Sequence, residues 1–327
     1  MRSHQTSQGP SVERMRRPAW HNDPSVARTP PSGDSPEPDP ELETATEAFL
    51  RVRGRLFGIA YRMLGSVADA EDIVQEVWLR WHGCDRSAVR DPGAFLATTT
   101  TRLALNLLQS ARVRHEAYVG PWLPEPIDTA VNADLVAEQA ETIELVVLFL
   151  LERLTPLERA AYVLREAFAY PYDEIAEILS CSETNARQLV SRARKHVAGE
   201  RRTPVARSEQ HRFLTAFLDA ARSGDLAALE TLLTEDVVSY SDGGTVFHAA
   251  RFPLLGRTRV VKFVLAVSEW FWDGVDVQWI EANGQPALRL SVAGKQIALI
   301  AVTVTEDGID RLFWMMNSTK LDGVLPA

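Results

Sequence analysis

The 327-residue chain is 46% hydrophobic and 24% charged, with two cysteines and a formal charge of −9. That length and balance suit two or three soluble globular domains, while Cys84 and Cys181, far apart and without Cys or His neighbours at ligand spacing, exclude a disulfide framework or a zinc site. No apolar run approaches the roughly 20 residues of a membrane span and no apolar signal core follows the N-terminus, so a cytoplasmic protein with no membrane partner, metal or cofactor is expected.

Residues 1–42 are rich in Pro, Ser, Arg and Asp, lack apolar periodicity and read as a disordered extension. From Glu47 the spacing of Phe49, Val52, Leu56, Ile59, Ala60 and Met63 predicts one helix ending near Gly65. Ser66 then caps a second helix with Asp69 at its third position and a stripe of Ala70, Ile73, Val74, Val77 and Trp81. Its other side presents Asp69, Asp72, Gln75 and Glu76 beside Trp78, a face that fits a basic protein surface, although such a run is commonly just solvated. After a loop over 82–92, a third helix is expected from about Gly93 to Val113. It holds Thr98, Thr99, Thr100 and Thr101, whose hydroxyls either meet a nucleic-acid backbone or bond back to the preceding turn.

Tyr118 to Asp134 reads as an extended linker, Pro-rich around Trp122-Leu123-Pro124-Glu125-Pro126. Thr155, Pro156 and Glu158 then specify a capped helix start. A short helix from Asp173 to Leu179 and a Ser180-Cys181-Ser182 turn lead to a third helix, giving a helix-turn-helix pattern. In that last helix Ala186, Leu189, Val190, Ala193 and Val197 face inward. Thr184, Arg187, Gln188, Ser191, Arg192 and Lys195 form the opposite stripe. Thr184, Arg187 and Gln188 sit where a recognition helix reaches base edges; Arg192, Arg194 and Lys195 sit where one meets phosphates. Between Ser182 and Arg202 six Lys or Arg residues oppose Glu183 and Glu200, a local excess of four positive charges in an acidic chain. Weak DNA binding alone, reinforced by a protein partner, follows.

Past Arg207 a helix with Phe213, Phe217, Leu218 and Ala221 precedes SGDLAALETLL. Strand-like runs follow at Val237–Ser241, Val275–Glu281, Ala287–Val292, Gln296–Val304 and Ile309–Met316, with a helix near Val260–Phe271. This order predicts an α+β cone. Trp270, Trp272, Trp279 and Trp314, with Asp242 and His248, are candidates to line an apolar pocket; equally, the aromatics are core and Asp242-Gly243-Gly244 is a turn.

Arg55 to Trp81 (RLFGIAYRMLGSVADAEDIVQEVWLRW) resembles the core-binding segment of bacterial sigma factors of the extracytoplasmic-function type, and Thr155 to Val197 resembles their −35 module, in the same order. The resemblance implies a subunit that joins core RNA polymerase at the β′ clamp and β flap and reads promoter DNA. Asp69, Asp72, Gln75, Glu76 and Trp78 then face polymerase; Thr99, Arg102 and Asn106 face the −10 strand; the helix from Glu183 reads −35. The Trp122 to Pro126 pentapeptide is similar to the linker motif of the SigJ-like subgroup, whose members carry a fused SnoaL-like, NTF2-type domain. Relatives there show Asp-Gly-Gly-Gly-Lys and Asn-Pro-Asp-Lys-Leu, where this chain has Asp242-Gly243-Gly244-Thr245-Val246 and Asn317-Ser318-Thr319-Lys320-Leu321, half of each. A regulatory contact of Trp122, Leu123, Pro124, Glu125 and Pro126 with Asp242, Gly243 and Gly244 is what the resemblance implies. The expected organisation is two all-α domains, 43–117 and 138–202, joined by a linker over 118–137 and followed by a regulatory cone over 207–322 that tunes activity, with any ligand unknown. The alternative is a stand-alone ligand-responsive helix-turn-helix regulator, which has no need of Arg55 to Trp81. An enzyme using Asp242 or His248 as base lacks a second convergent polar group.

Overall fold

In the computed structural model the described residues are 40–116, 118, 120–129, 143–200, 205–244 and 249–321. His248, Thr245 and most of the 1–42 extension, with part of the linker, lie outside them. The first helical group comprises α1 (Pro40–Leu50), α2 (Arg53–Leu64), α3 (Val67–Gly83) and α4 (Pro92–Glu116), with a 3-10 turn at Arg86–Ala88. The single helix expected through Phe49 and Leu56 is thus two, and the first begins at Pro40, inside the expected extension. The chain turns at Arg51–Val52, which lets Phe49 pack on Trp78 at 5.0 Å while α2 runs through the centre. Every residue of α2 from Leu56 to Leu64 is buried, because neighbours cover it on all sides. Even Arg62 is buried, bonded to Gly58 O at 3.2 Å and stacked over Phe168 at 5.2 Å.

The second helical group is α5 (Leu145–Leu151), α6 (Pro156–Tyr162, continued by a π turn over Val163–Ala167), α7 (Tyr172–Ile178) and α8 (Glu183–Glu200). The Thr155 capping box forms, Thr155 and Glu158 each bonding the other's backbone N–H at 3.3 Å. Ser182 caps α8 through Asn185 N–H at 3.2 Å. The two groups are packed together. Arg159, almost fully buried, bonds Met63 O at 2.7 Å and Glu152 through both guanidinium nitrogens at 2.9 and 3.0 Å, while Arg55 lies over the Tyr170 ring at 4.6 Å.

The C-terminal group is α9 (Arg207–Ser223), α10 (Leu226–Leu232), β1 (Leu233–Asp242), β2 (Leu254–Leu255), α11 (Arg257–Phe271), β3 (Val275–Ala282), β4 (Gln285–Val292), β5 (Lys295–Thr305), β6 (Gly308–Met315) and α12 (Ser318–Leu321). Six strands form one sheet in the order β2-β1-β6-β5-β4-β3, antiparallel except β1 with β6. This is the expected α+β arrangement, helices packed on one mixed sheet. The β3–β4 hairpin turns on Asn283-Gly284, both at positive φ as a two-residue turn requires.

Strand alternation gives this sheet two buried faces. Leu288, Ala298, Ile300, Leu312 and Trp314 face the group's own helices. Ala287, Leu299, Ala301, Tyr240, Phe313 and Met315 join the core of the helical groups instead. Phe149 of α5 closes that seam, 4.6 Å from Tyr240 and 5.4 Å from Phe313. Helix α5, LVVLFLL, is consequently buried at every position.

A second link runs through Tyr61. Its hydroxyl donates to Glu125 O at 2.6 Å and accepts from Asn283 Nδ2 at 3.0 Å, joining α2, the linker and the hairpin tip in one buried chain of bonds. Burial pushes the phenol pKa well above its ordinary value. Tyr61→Phe leaves two buried polar groups without this partner and is expected to lower unfolding free energy by about 1–3 kcal/mol, read by urea denaturation; an unchanged midpoint and slope contradict the assignment.

Candidate nucleic-acid and protein interfaces

Helix α8 keeps its sequence-predicted faces. Ala186, Leu189, Val190, Ala193 and Val197 are buried, while Thr184, Arg187, Gln188, Ser191, Arg192 and Lys195 are exposed along one stripe. The arginines of this helix are held by neighbours. Arg187 bonds Glu183 at 3.2 Å and lies over the Tyr172 ring at 4.3 Å; Arg192 pairs with Glu158 at 3.2 Å and Arg194 with Glu166 at 2.7 Å. These are surface pairs between side chains at least half exposed on the arginine side, of the kind that contribute ~0–1 kcal/mol and exchange readily for another anion.

On α3, Asp72 and Gln75 are exposed and Asp69 and Glu76 half-buried, while Trp78, also half-buried, packs against the core at the margin of this face. Glu76 pairs with Arg80 at 2.7 Å, and Asp69 N–H is occupied by the Ser66 cap. The acidic face therefore exists as a surface, with Trp78 partly covered by Phe49 and His82.

On helix α4 the threonine hydroxyls take the second of their two expected roles, and Arg102 is engaged within the chain. Thr99, Thr100 and Thr101 each donate to the carbonyl four residues back, at 2.8 Å, and the last two are fully buried. These hydroxyls bond back to the preceding turn, and of the three only Thr99 is left partly exposed. Arg102, expected to face a DNA strand, donates to Ile178 O and Glu177 O at 3.1 Å each and reaches Ser180 Oγ at 3.5 Å. It is bonded to the C-terminal end of α7, whose last carbonyls and negative dipole end attract a guanidinium. Thr99, Arg102, Tyr170, Glu174 and Glu177 share one groove between the helical groups, and Asn106 is exposed one turn further on.

The linker is locked at both faces. Glu125 N–H donates to Gly65 O at 2.7 Å, and the Glu125 carboxylate accepts Val67 N–H at 2.6 Å at the start of α3; burial raises its pKa. Leu123, Pro124 and Pro126 are buried. Further on, Asp128 pairs with Ala282 as a β-bridge, so the linker extends the β3 edge of the sheet.

Asp242, at the end of β1, holds the other face. Its carboxylate accepts Leu123 N–H at 2.9 Å, Lys320 Nζ at 2.6 Å and the Tyr118 hydroxyl. Lys320 also donates to Leu123 O and stands 3.2 Å from the Trp122 ring centroid. Asn317 Nδ2 donates to the Tyr118 hydroxyl at 2.9 Å. Gly244 has φ +55 and lies so close to Asn317 that a Cβ would come within 3.0 Å of its amide, so the tight turn needs glycine. The parts of the two C-terminal motifs that this chain keeps, Asp242-Gly243-Gly244, Asn317 and Lys320, include the residues that build the contact. Burial lowers the Lys320 pKa, opposed by Asp242, and burial with the Asp242 carboxylate raises that of Tyr118.

The aromatic pocket expected for Asp242 and four tryptophans is not assembled that way. Asp242 points at the linker. Trp279 is on β3, stacked on His211 at 3.9 Å and partly exposed, and Trp272 packs edge-on against Phe271 at 5.0 Å. Trp270 and Trp314 line a common cleft. Tyr61, Asn283, Tyr118 and Phe149 escaped the sequence reading; the Asn283-Gly284 hairpin signal and the unbroken apolar run of α5 were the available clues.

Among the described residues no group of three or more His, Cys, Asp or Glu could hold a metal ion, and no helix is long and apolar enough to cross a membrane. The Sigma-70 region 2 family model matches residues 48–114 and the Sigma-70 region 4 model residues 145–197. The chain is 40% identical over 238 residues to the ECF RNA polymerase sigma factor SigJ of Mycobacterium tuberculosis, covering 69% of this chain and 74% of that protein. It is 30% identical over 285 residues to the probable ECF sigma factor SigI of the same species, covering 86% and 96%. The crystal structure of M. tuberculosis SigJ aligns with TM-score 0.67 at 33% identity, over 86% of this chain and 98% of that one.

Asp242→Ala leaves the Lys320 ammonium buried without its carboxylate and is expected to cost about 3–5 kcal/mol, with faster proteolysis within 118–129; equal cleavage and stability would remove the contact from the structure's supports.

Proposed function

This chain belongs to the extracytoplasmic-function sigma factors and directs core RNA polymerase to promoter DNA, and on that premise we propose how its surfaces divide the work. The Asp69, Asp72, Gln75, Glu76 and Trp78 face of α3 docks the basic β′ clamp, and the second helical group contacts the β flap. Thr99, Arg102 and Asn106 meet the −10 strand. Thr184, Arg187 and Gln188 read −35 bases, while Ser191, Arg192 and Lys195 meet phosphates. The observation that carries this division is the α8 stripe, exposed along its length on a helix whose opposite side is fully buried. Arg102 must leave the carbonyls of Glu177 and Ile178 to bind a strand, so promoter opening separates α4 from α7.

The linker contact supplies the control. Trp122, Leu123, Pro124, Glu125 and Pro126 are fixed between the helices and the turn at Asp242, Gly243 and Gly244, and a tethered domain engages such a contact at high effective concentration. Its state then sets the fraction of protein whose helical groups can part. A stand-alone regulator is disfavoured, since the chain carries both sigma regions in order.

Run-off transcription with purified core polymerase tests the reading. Arg187→Ala or Gln188→Ala should cost about 1–3 kcal/mol of promoter binding and relax choice at individual −35 bases, whereas Lys195→Ala weakens all promoters alike. One common profile for the three variants in a promoter library contradicts the base readers. Trp122→Ala and Asp242→Asn should shift transcript yield in the same direction, with the double variant little different from either single, because both break one contact. Additive or opposite shifts separate the two residues.

A further inference from the structure

The 26 residues from Gly243 to Ser268 contain Arg251, Arg257, Arg259 and Lys262 but neither Asp nor Glu, in a chain whose formal charge is −9. Helix α11 divides this stretch by burial. Val260, Val261 and Val264 enter the core of the C-terminal group, which leaves Arg259, Lys262 and Ala266 exposed along one outward stripe. Neither cation of the stripe has an acidic residue three or four positions away on the helix.

Among the described residues no carboxylate pairs with any of the four cations, whereas Arg187, Arg192 and Arg194 of α8 each have one. Arg257 even keeps its Nε buried without an acceptor. The neighbouring strand β1, whose Val237 O takes the Gly256 N–H at 2.9 Å, opens with the exposed Glu235 and Asp236. Set against those two carboxylates, the four cations keep an excess of two positive charges at this edge of the sheet. Charge placed outward without internal partners is the footprint of an anionic surface.

We propose that the Arg259–Lys262 stripe is a second DNA contact, independent of sequence, which holds backbone phosphates of the duplex flanking the −35 element. Residues three apart on a helix lie ~5–6 Å from each other, close enough to grip one stretch of phosphate backbone together. The whole stretch from Gly243 to Ser268 has no Asn or Gln to read a base edge, so the contact positions without specifying. Proximity supplies the occupant. Only residues 201–206 separate α8 from α9, a span of at most about 20 Å, so the C-terminal group stays beside any duplex that α8 occupies. A bilayer is disfavoured because a helix lying on lipid turns its apolar face outward, and that face of α11 is buried. The proposal rests on α8 lying along the −35 duplex.

The full-length protein, alone and joined to core polymerase, is titrated by fluorescence anisotropy at several salt concentrations against two duplexes. One ends at the borders of the −35 element, and the other continues for about 20 base pairs on each side. The Arg259→Gln, Lys262→Gln double variant should bind the long duplex about three- to tenfold less tightly, with a log–log salt slope smaller by about 1–2, and match the parent on the short one. Both side chains are exposed and unpaired, so the double variant should melt with the parent, and Arg259→Lys should retain the long-duplex affinity. Equal affinity and slope on the long duplex, an equal loss on both duplexes, or a loss confined to particular flanking sequences overturns the contact. Two further arms test other occupants: vesicles of phosphatidylglycerol and phosphatidylcholine, and core polymerase without DNA. Stripe-dependent binding to either, with long-duplex affinity unchanged, replaces DNA as the partner. Lys195→Ala on the short duplex checks the premise separately: no loss there rejects the α8 reading, while the long-duplex difference between parent and double variant still decides the stripe.

Discussion

A sheet whose two faces are both apolar cannot rest on one set of helices, and that requirement shapes this protein. Had β1, β5 and β6 alternated apolar with polar residues, the C-terminal group would close on its own helices and hang from the chain as an appendage. Instead Leu299, Ala301, Phe313 and Met315 need a second cover, and α5 with Phe149 supplies it. Two large apolar surfaces are removed from water together, which outweighs any single polar contact in the molecule. The sigma helices and one face of the fused domain's sheet thus share a core, while the sheet's other face keeps a core of its own.

The polar contacts work differently from that core. Tyr61 with Asn283, and Asp242 with Lys320, add little by their mere presence, since burying them costs solvation that bonding only roughly returns. Their effect is directional: they fix which linker residue lies where, and breaking one partner leaves the other buried and unmatched. Contacts of this sort make good control points.

The proposed nucleic-acid surfaces follow a related logic of exchange. Arg187, Arg192 and Arg194 sit on neighbouring carboxylates with their own side chains at least half exposed, so that each pair is open to solvent on the arginine side. Arg102 is a different case, because its partners are carbonyls on the other helical group. Binding elsewhere means giving up a contact that joins α4 to α7.

The sequence by itself determined the parts that depend on neighbours a few residues apart. The Thr155 capping box, the Ser66 and Ser182 caps, the buried and exposed stripes of α3 and α8, and five strands of the sheet were all legible, because helical period, strand alternation and caps are local. Resemblance added the linker and turn motifs as candidates for a contact. What tertiary structure decided lies far apart along the chain: that Tyr61 meets Asn283, that Arg102 is captured by α7 instead of standing open, that Asp242 turns to the linker instead of a tryptophan-lined pocket. Local pattern also could not show that the helix through Phe49 breaks at Val52, since the same apolar spacing fits one helix or two. Periodicity reports that a side chain is buried; only packing chooses the partner, because every apolar stripe is equally willing to leave water.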